Sequence, residues 1–131
     1  MGANDQYKEI GRWVRSKAIT EADTNTTKPV IDVPAKTLVT NVILVVTEAF
    51  AGGTPSIDIG DGDDPDGWID TDDVTETTIG AYCGDETTTA AYANSRKYYP
   101  TADTIDAVIA TGLTNGTAYV LAHMVDLKDL V

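Results

Sequence analysis

From residue 28 onward, short runs of β-branched and other apolar residues alternate with clusters of Asp, Gly, Asn, Thr and Pro. KPVIDV predicts a short strand ended by Pro34, whose ring removes a ladder donor. TLVTNVILVVTEAF predicts a longer strand in which β-branched side chains dominate. Residues 42–46 of that run are apolar on both alternating faces. This is the pattern of a strand buried on both sides, either between two sheets or between a sheet and a partner subunit. The pattern recurs in residues 118–125. AGGTP reads as a turn and PSIDI as a brief strand. TIGAYCG, with Ile79, Ala81 and Cys83 alternating, predicts another strand, and AYANSRKYYP a further one ending at Pro100. TIDAVIA sets Ile105, Ala107 and Ile109 on one face and Thr104 and Asp106 on the other. With GLTNGT and TAYVLAHMVDL after it, this predicts a β-hairpin whose Asn115 and Gly116 supply positive φ inside a longer connection.

About seven or eight strand candidates, with turn signals every ~8–15 residues, indicate a sandwich or jelly roll rather than βαβ units. The expected fold class is all-β, a single antiparallel β-sandwich, jelly-roll-like, with an N-terminal arm. Residues 1–27 are read as that arm and a loop, and residues 28–131 as the sandwich domain. In the arm, Ile10, Trp13, Val14 and Lys17 suit one face of a short helix, yet RWVRSKAI also suits an edge strand.

The chain has 131 residues, the usual size of one domain. It is rich in Thr, Val, Ala, Asp and Gly, which favours strands joined by polar turns. Its net charge of −12 is unevenly placed: residues 37–95 hold twelve acidic side chains and no Lys or Arg. Such a field repels phosphates, so nucleic acid and anionic membrane surfaces are not expected partners. No stretch approaches a membrane span or a secretory signal, and synthesis in the cytosol is expected.

Candidate chemistry is sparse. One cysteine and one histidine cannot build a zinc site or an internal disulfide. The loop DIGDGDDPDGWIDTDD offers Asp58, Asp61, Asp63, Asp64, Asp66 and Asp70 as oxygen ligands for calcium. A twelve-residue EF-hand frame started at Asp61 nevertheless puts Pro65 at its fifth position and Asp66 where Gly is needed. A solvated loop with Asx-turns is the simpler reading, anchored to the sheet edge by Trp68 and Ile69. Acid–base catalysis requires one carboxyl held in an apolar pocket, and these acids crowd a polar stretch. His123 alternates with Leu121 and Val125 and reads as a packed or interface residue, and Cys83 as a small buried apolar group. Tyr82, Tyr92, Tyr98 and Tyr99 read as sheet-packing residues rather than a sugar-stacking platform. No enzyme activity, catalytic residue, cofactor or metal is expected.

The runs TNVILVVTEAFAGGTPSIDIGDGDDPDGWID and RKYYPTADTIDAVIATGLTNGTAYVLAHMVDL resemble small β-sandwich virion proteins of tailed bacteriophages, of the capsid decoration or cement type. In those proteins a strand ending in a Thr-x-Ala-Phe-like turn leads to an Ile-Gly-Asp-Gly segment with Asp-Pro-Asp, and a terminal hairpin closes on Val-Asp-Leu. The resemblance covers about residues 28–131. It implies a structural protein of the outer capsid surface, often trimeric, whose partners are the major capsid protein and its own copies. A tail or head-fibre component, or a calcium- or glycan-binding sandwich, are the alternatives. The arm has no counterpart in the resemblance. Its Ile10, Arg12, Trp13 and Arg15 are expected to contact the capsid or a neighbouring subunit, because Arg and Trp are enriched at binding hot spots.

Overall fold

The β-branched run after Thr37 forms the longest strand of the protein. The structure, a computed structural model, describes residues 9–85, 90–93 and 96–131. In chain order the strands are β1 (Gly11–Arg15), β2 (Ile19–Thr20), β3 (Thr26–Val33), β4 (Thr37–Ala51), β5 (Ile57–Gly60), β6 (Gly80–Cys83), β7 (Lys97–Tyr99), β8 (Asp103–Ile109) and β9 (Asn115–Asp126). Single 3-10 turns at Glu21–Asp23 and Thr71–Asp73 are each closed by a capping box, from Thr20 and Asp70 respectively.

The larger sheet runs β1-β9-β4-β6, with β2 also on β9 and β7 also on β4. The smaller runs β3-β8-β5. Every pairing is antiparallel. The two sheets form the expected β-sandwich. From the larger sheet, Val39, Val42, Leu44, Val46, Val120 and Met124 point inward. Ile31, Val33, Ile57, Ile59, Ile105 and Ile109 meet them from the smaller sheet. Burying each such side chain contributes about 1.5–3 kcal/mol, and the small Ala118 and Ala122 let the facing residues approach.

Three expectations need correction. First, β8 and β9 do not form a hairpin: β8 belongs to the smaller sheet and β9 to the larger. The connection between them is an arch across the sandwich. Its Leu113 is buried and donates its N–H to Thr24 Oγ1 at 3.2 Å, while Thr24 Oγ1 donates to the Ala110 carbonyl at 2.7 Å. Of Asn115 and Gly116 only Gly116 has positive φ, at 127°, and for packing: a Cβ there would lie 2.1 Å from the Phe50 ring. Second, Cys83 is exposed, because its strand turns Tyr82 toward the core instead. Third, the stretch read as a solvated acidic loop is partly packed. Besides Trp68 and Ile69, it buries the carboxylates of Asp61 and Glu76.

The N-terminal segment takes the strand form of its two readings. Residues 11–15 pair with residues 121–125 of β9, and Ile19 pairs with Ala118. Ser16 is buried and bridges to β9 twice, its N–H donating to the Val120 carbonyl and its Oγ accepting from the Val120 N–H. Through β1 and β2, part of the segment read as arm and loop is built into the larger sheet, and β3, beginning at Thr26, carries its last two residues into the smaller sheet. Residues 1–8 lie outside the described residues.

Candidate interaction surface

Strand alternation leaves each sheet one outward face, and the two differ in chemistry. On the larger sheet the outward positions of β9 are Tyr119, Leu121, His123 and Val125, and those of β4 are Leu38, Thr40, Ile43 and Val45, all half-buried. Trp13 and Arg15 of β1 extend this face on one side, and Ala81 and Cys83 of β6 on the other. None of these positions carries a carboxylate, although Glu48 of β4, the cross-strand partner of Thr117, brings one to the end of the same face. On the smaller sheet the outward face presents Asp32, Asp58 and Asp106 beside Thr104 and Val108.

Several charged and polar groups of the larger sheet's face contact one another within the chain. The Arg15 guanidinium lies 5.1 Å from the centre of the Tyr119 ring, a cation–π contact. The Trp13 and His123 rings are 5.2 Å apart and tilted by 54°, and His123 Nδ1 is 2.6 Å from Thr40 Oγ1. Trp13 is still 55% exposed.

The four residues expected to make contacts separate around β1. Trp13 and Arg15 sit on the outward face. Ile10 and Arg12 instead line a groove at the end of the sheet, with Pro34, Met124 and Leu130. The apolar outward positions of β4 and β9 had a sequence signal, the two-sided apolar runs at residues 42–46 and 118–125.

The acidic loop is fixed by one carboxylate. Asp61 is 1% exposed. It accepts from Lys97 Nζ at 2.6 Å, Tyr99 Oη at 2.7 Å and the N–H groups of Asp63 and Asp64 at 3.0 Å each. Trp68 Nε1 donates to Tyr99 Oη at 3.2 Å, which ties the loop's aromatic anchor to the same network. Burial pushes the Asp61 carboxyl up, but the hydrogen bonds from Lys97, Tyr99 and Asp64 outweigh it and hold the group below its ordinary range. For Lys97 burial favours the neutral amine, and the bonds to Asp61 and Tyr92 overcome it, so the ammonium is held well above its usual value. Burial pushes Tyr99 up as well, reinforced by the neighbouring Asp61 charge, so its hydroxyl stays a donor.

Where a cation would bridge Asp61 and Asp63, the structure has the Lys97 ammonium, 2.6 Å from one and 3.3 Å from the other. Among the described residues no group of three His, Cys, Asp or Glu side chains is placed to hold a metal. No buried side-chain polar atom among them lacks a hydrogen-bond partner. Lys97 and Asp61 are 36 positions apart with no local pattern linking them, so sequence reading missed the pair.

No protein-family model and no curated protein matches the chain. Solved structures with the same fold come from phage capsids. A chain of the acidic stable capsid structure of Helicobacter pylori bacteriophage KHP30 aligns with TM-score 0.64 at 13% identity, covering 88% of this chain and 86% of that one. A chain of the cyanophage Pam1 capsid asymmetric unit aligns with TM-score 0.65 at 10% identity, covering 92% and 89%. A chain of the capsid of Ralstonia phage GP4 aligns with TM-score 0.59 at 13% identity, covering 90% and 84%. The sandwich is thus a fold found in phage capsid structures.

Proposed function

We propose that the protein is a non-enzymatic structural component of a phage virion that decorates and stabilises the capsid from its outer surface. It binds the major capsid protein and neighbouring copies of itself, with a trimer as the assembled unit. The observation that carries this reading is the fold shared along about nine tenths of the chain with chains of three phage capsids.

The surface chemistry supports it. A decorating protein needs one surface that adheres and another that stays hydrated. Here the larger sheet offers a largely apolar face with the Glu48 carboxylate toward one end, while the acidic loop and the smaller sheet gather much of the negative charge. Pressing unpaired carboxylates against a shell costs several kcal/mol per charge, so the acidic side faces water. The edge around β1, with Ile10, Arg12, Trp13 and Arg15, is the side that meets the shell.

Surface labelling of intact virions followed by peptide identification tests the reading. The expected result is labelling of this protein on filled heads, at a copy number that scales with the capsid lattice. Recovery only with detached tails or fibres, or absence from purified particles, would overturn it.

A further inference from the structure

We propose that Asn115 is a site of spontaneous deamidation, held shut in the folded chain by Glu48, whose carboxylate keeps the proton on the nitrogen that would attack it. The inference does not depend on the virion role.

Asn-Gly is the dipeptide in which this reaction meets least obstruction, because Gly has no Cβ to crowd the ring that forms. Asn25 and Asn41 are followed instead by the β-branched Thr26 and Val42. The Gly116 nitrogen attacks Asn115 Cγ, a C–N bond closes an imide ring, and the side-chain nitrogen leaves as ammonia, taking the Gly116 proton with it. Water then opens the imide at either carbonyl and gives Asp or isoaspartate. Water is the only co-reactant.

The fold exposes the target and restrains the nucleophile. Asn115 is exposed at the first position of β9, so water reaches its amide. It is nevertheless extended and paired with Ala51, whose carbonyl also accepts from the Thr114 N–H at 2.9 Å. Attack requires the Asn115 ψ to rotate out of the extended range, which breaks that pairing. Gly116 is buried, and a Cβ on it would lie 2.1 Å from the ring of Phe50, itself 1% exposed, so the rotation must also move a core side chain. The last restraint is chemical: the Gly116 N–H donates to Glu48 Oε1 at 3.0 Å. The attacking species is the deprotonated amide, and a carboxylate in contact with it disfavours a second negative charge there. With an ordinary pKa of about 4.3, a glutamate is far too weak a base to take the amide proton itself. Glu48 therefore guards the site and does not catalyse the reaction. Conversion would set a new carboxylate near Glu48, and isoaspartate would add a backbone carbon ahead of Gly116, which displaces it from Phe50. The start of β9 then loosens irreversibly.

The test is peptide mapping of the full-length chain incubated at neutral pH, with the urea-unfolded chain as reference. Asp and isoaspartate at position 115 should accumulate at least about tenfold faster in the unfolded chain than in the folded one. Glu48→Ala should speed conversion in the folded chain by about tenfold or more, the fold-change that loss of a hydrogen bond to a charged group produces. Glu48→Gln, which keeps an acceptor without the charge, should fall between that variant and wild type. Lys97→Met weakens the fold through a contact that Glu48 does not share, and should leave the rate at the wild-type value, because local opening at the start of β9 and not global unfolding exposes the site. Circular dichroism establishes that each variant is folded. Equal rates in wild type and Glu48→Ala overturn the inference, as does acceleration by Lys97→Met that matches Glu48→Ala. So does an Asn115 that stays intact in the unfolded chain.

Discussion

Lys97 Nζ lies 2.6 Å from the carboxylate of Asp61, whose side chain has no solvent-exposed surface. The contact joins the acidic loop to β7, which pairs with the first residues of β4. Removing only the cation leaves a buried carboxylate without its counter-charge, so Lys97→Met should destabilise the protein by about 3–5 kcal/mol. Asp61→Asn combined with Lys97→Met removes both charges, and should recover much of that loss. Urea unfolding of the two single variants and the double variant gives the coupling directly. Additive single effects would show that the pair does not act as a unit.

The same carboxylate sets the acid response. Asp61 has a folded-state pKa below its unfolded value, so its contribution is present above the unfolded pKa of about 3.9 and is lost as pH falls through the lower folded value. Asp58 and Asp64 act with the opposite sign. Burial raises Asp58, with the Asp70 and Asp66 charges adding to it, and burial raises Asp64 together with its neighbour Asp66. Protonating these two on the way down from neutral pH therefore stabilises the folded chain. Melting temperature should rise slightly as pH falls from neutral, then drop once pH passes below the unfolded value of about 3.9. In Asp61→Asn the rise should remain and Asp61's part of the drop should vanish. A wild-type profile that falls steadily from pH 7 would contradict the assignment.

Two glycines, Gly116 at the start of β9 and Gly62 in the acidic loop, provide a matched test of packing. Gly116 combines φ of 127° with a virtual Cβ 2.1 Å from the Phe50 ring, whereas a Cβ on Gly62 meets nothing within 4 Å. Gly116→Ala should cost about 3 kcal/mol, through backbone strain and displacement of a buried Phe. Gly62→Ala should stay within about 0.5 kcal/mol of wild type. Thermal denaturation of the pair checks both, and equal losses would mean that the Phe50 contact is not what fixes this position.

Alternation carried much of the fold, and its failures have a common cause. The runs around Leu44, Ile59 and Ile105 became strands of the sandwich because period-2 burial is a local property that each segment states for itself. The connection from Ile109 to Asn115 was read as a hairpin because Asn-Gly signals positive φ without saying which sheet the next strand joins. That choice depends on β9 pairing along both of its edges, with β1 and β4, which are distant in sequence. Cys83 was misassigned because a four-residue strand has too few positions to say which phase of its alternation is buried. Asp61 looked like its solvated neighbours, since the groups that bury it, Tyr99, Lys97 and Trp68, arrive from other parts of the chain.

The last prediction concerns the β1 edge. Trp13 is 55% exposed and contacts His123 on the outward face rather than the core, so truncating it removes little packing. Trp13→Ala should change stability by less than about 1 kcal/mol. An exposed indole that becomes covered by a shell is a typical hot spot, and its loss there should cost about 2 kcal/mol or more of binding, close to 30-fold in retention. Arg12→Glu should act in the same direction and make release more sensitive to salt, because it reverses a charge beside the groove lined by Ile10. Point variants are the right instrument. Deleting the whole segment would also remove the two hydrogen bonds between Ser16 and Val120, which confuses unfolding with release. Sedimentation of particles decorated with each variant, across a salt series, measures the effect. If both variants stay bound as tightly as wild type while neutralising Asp63 and Asp66 releases the protein, the acidic side and not the β1 edge is what meets the shell.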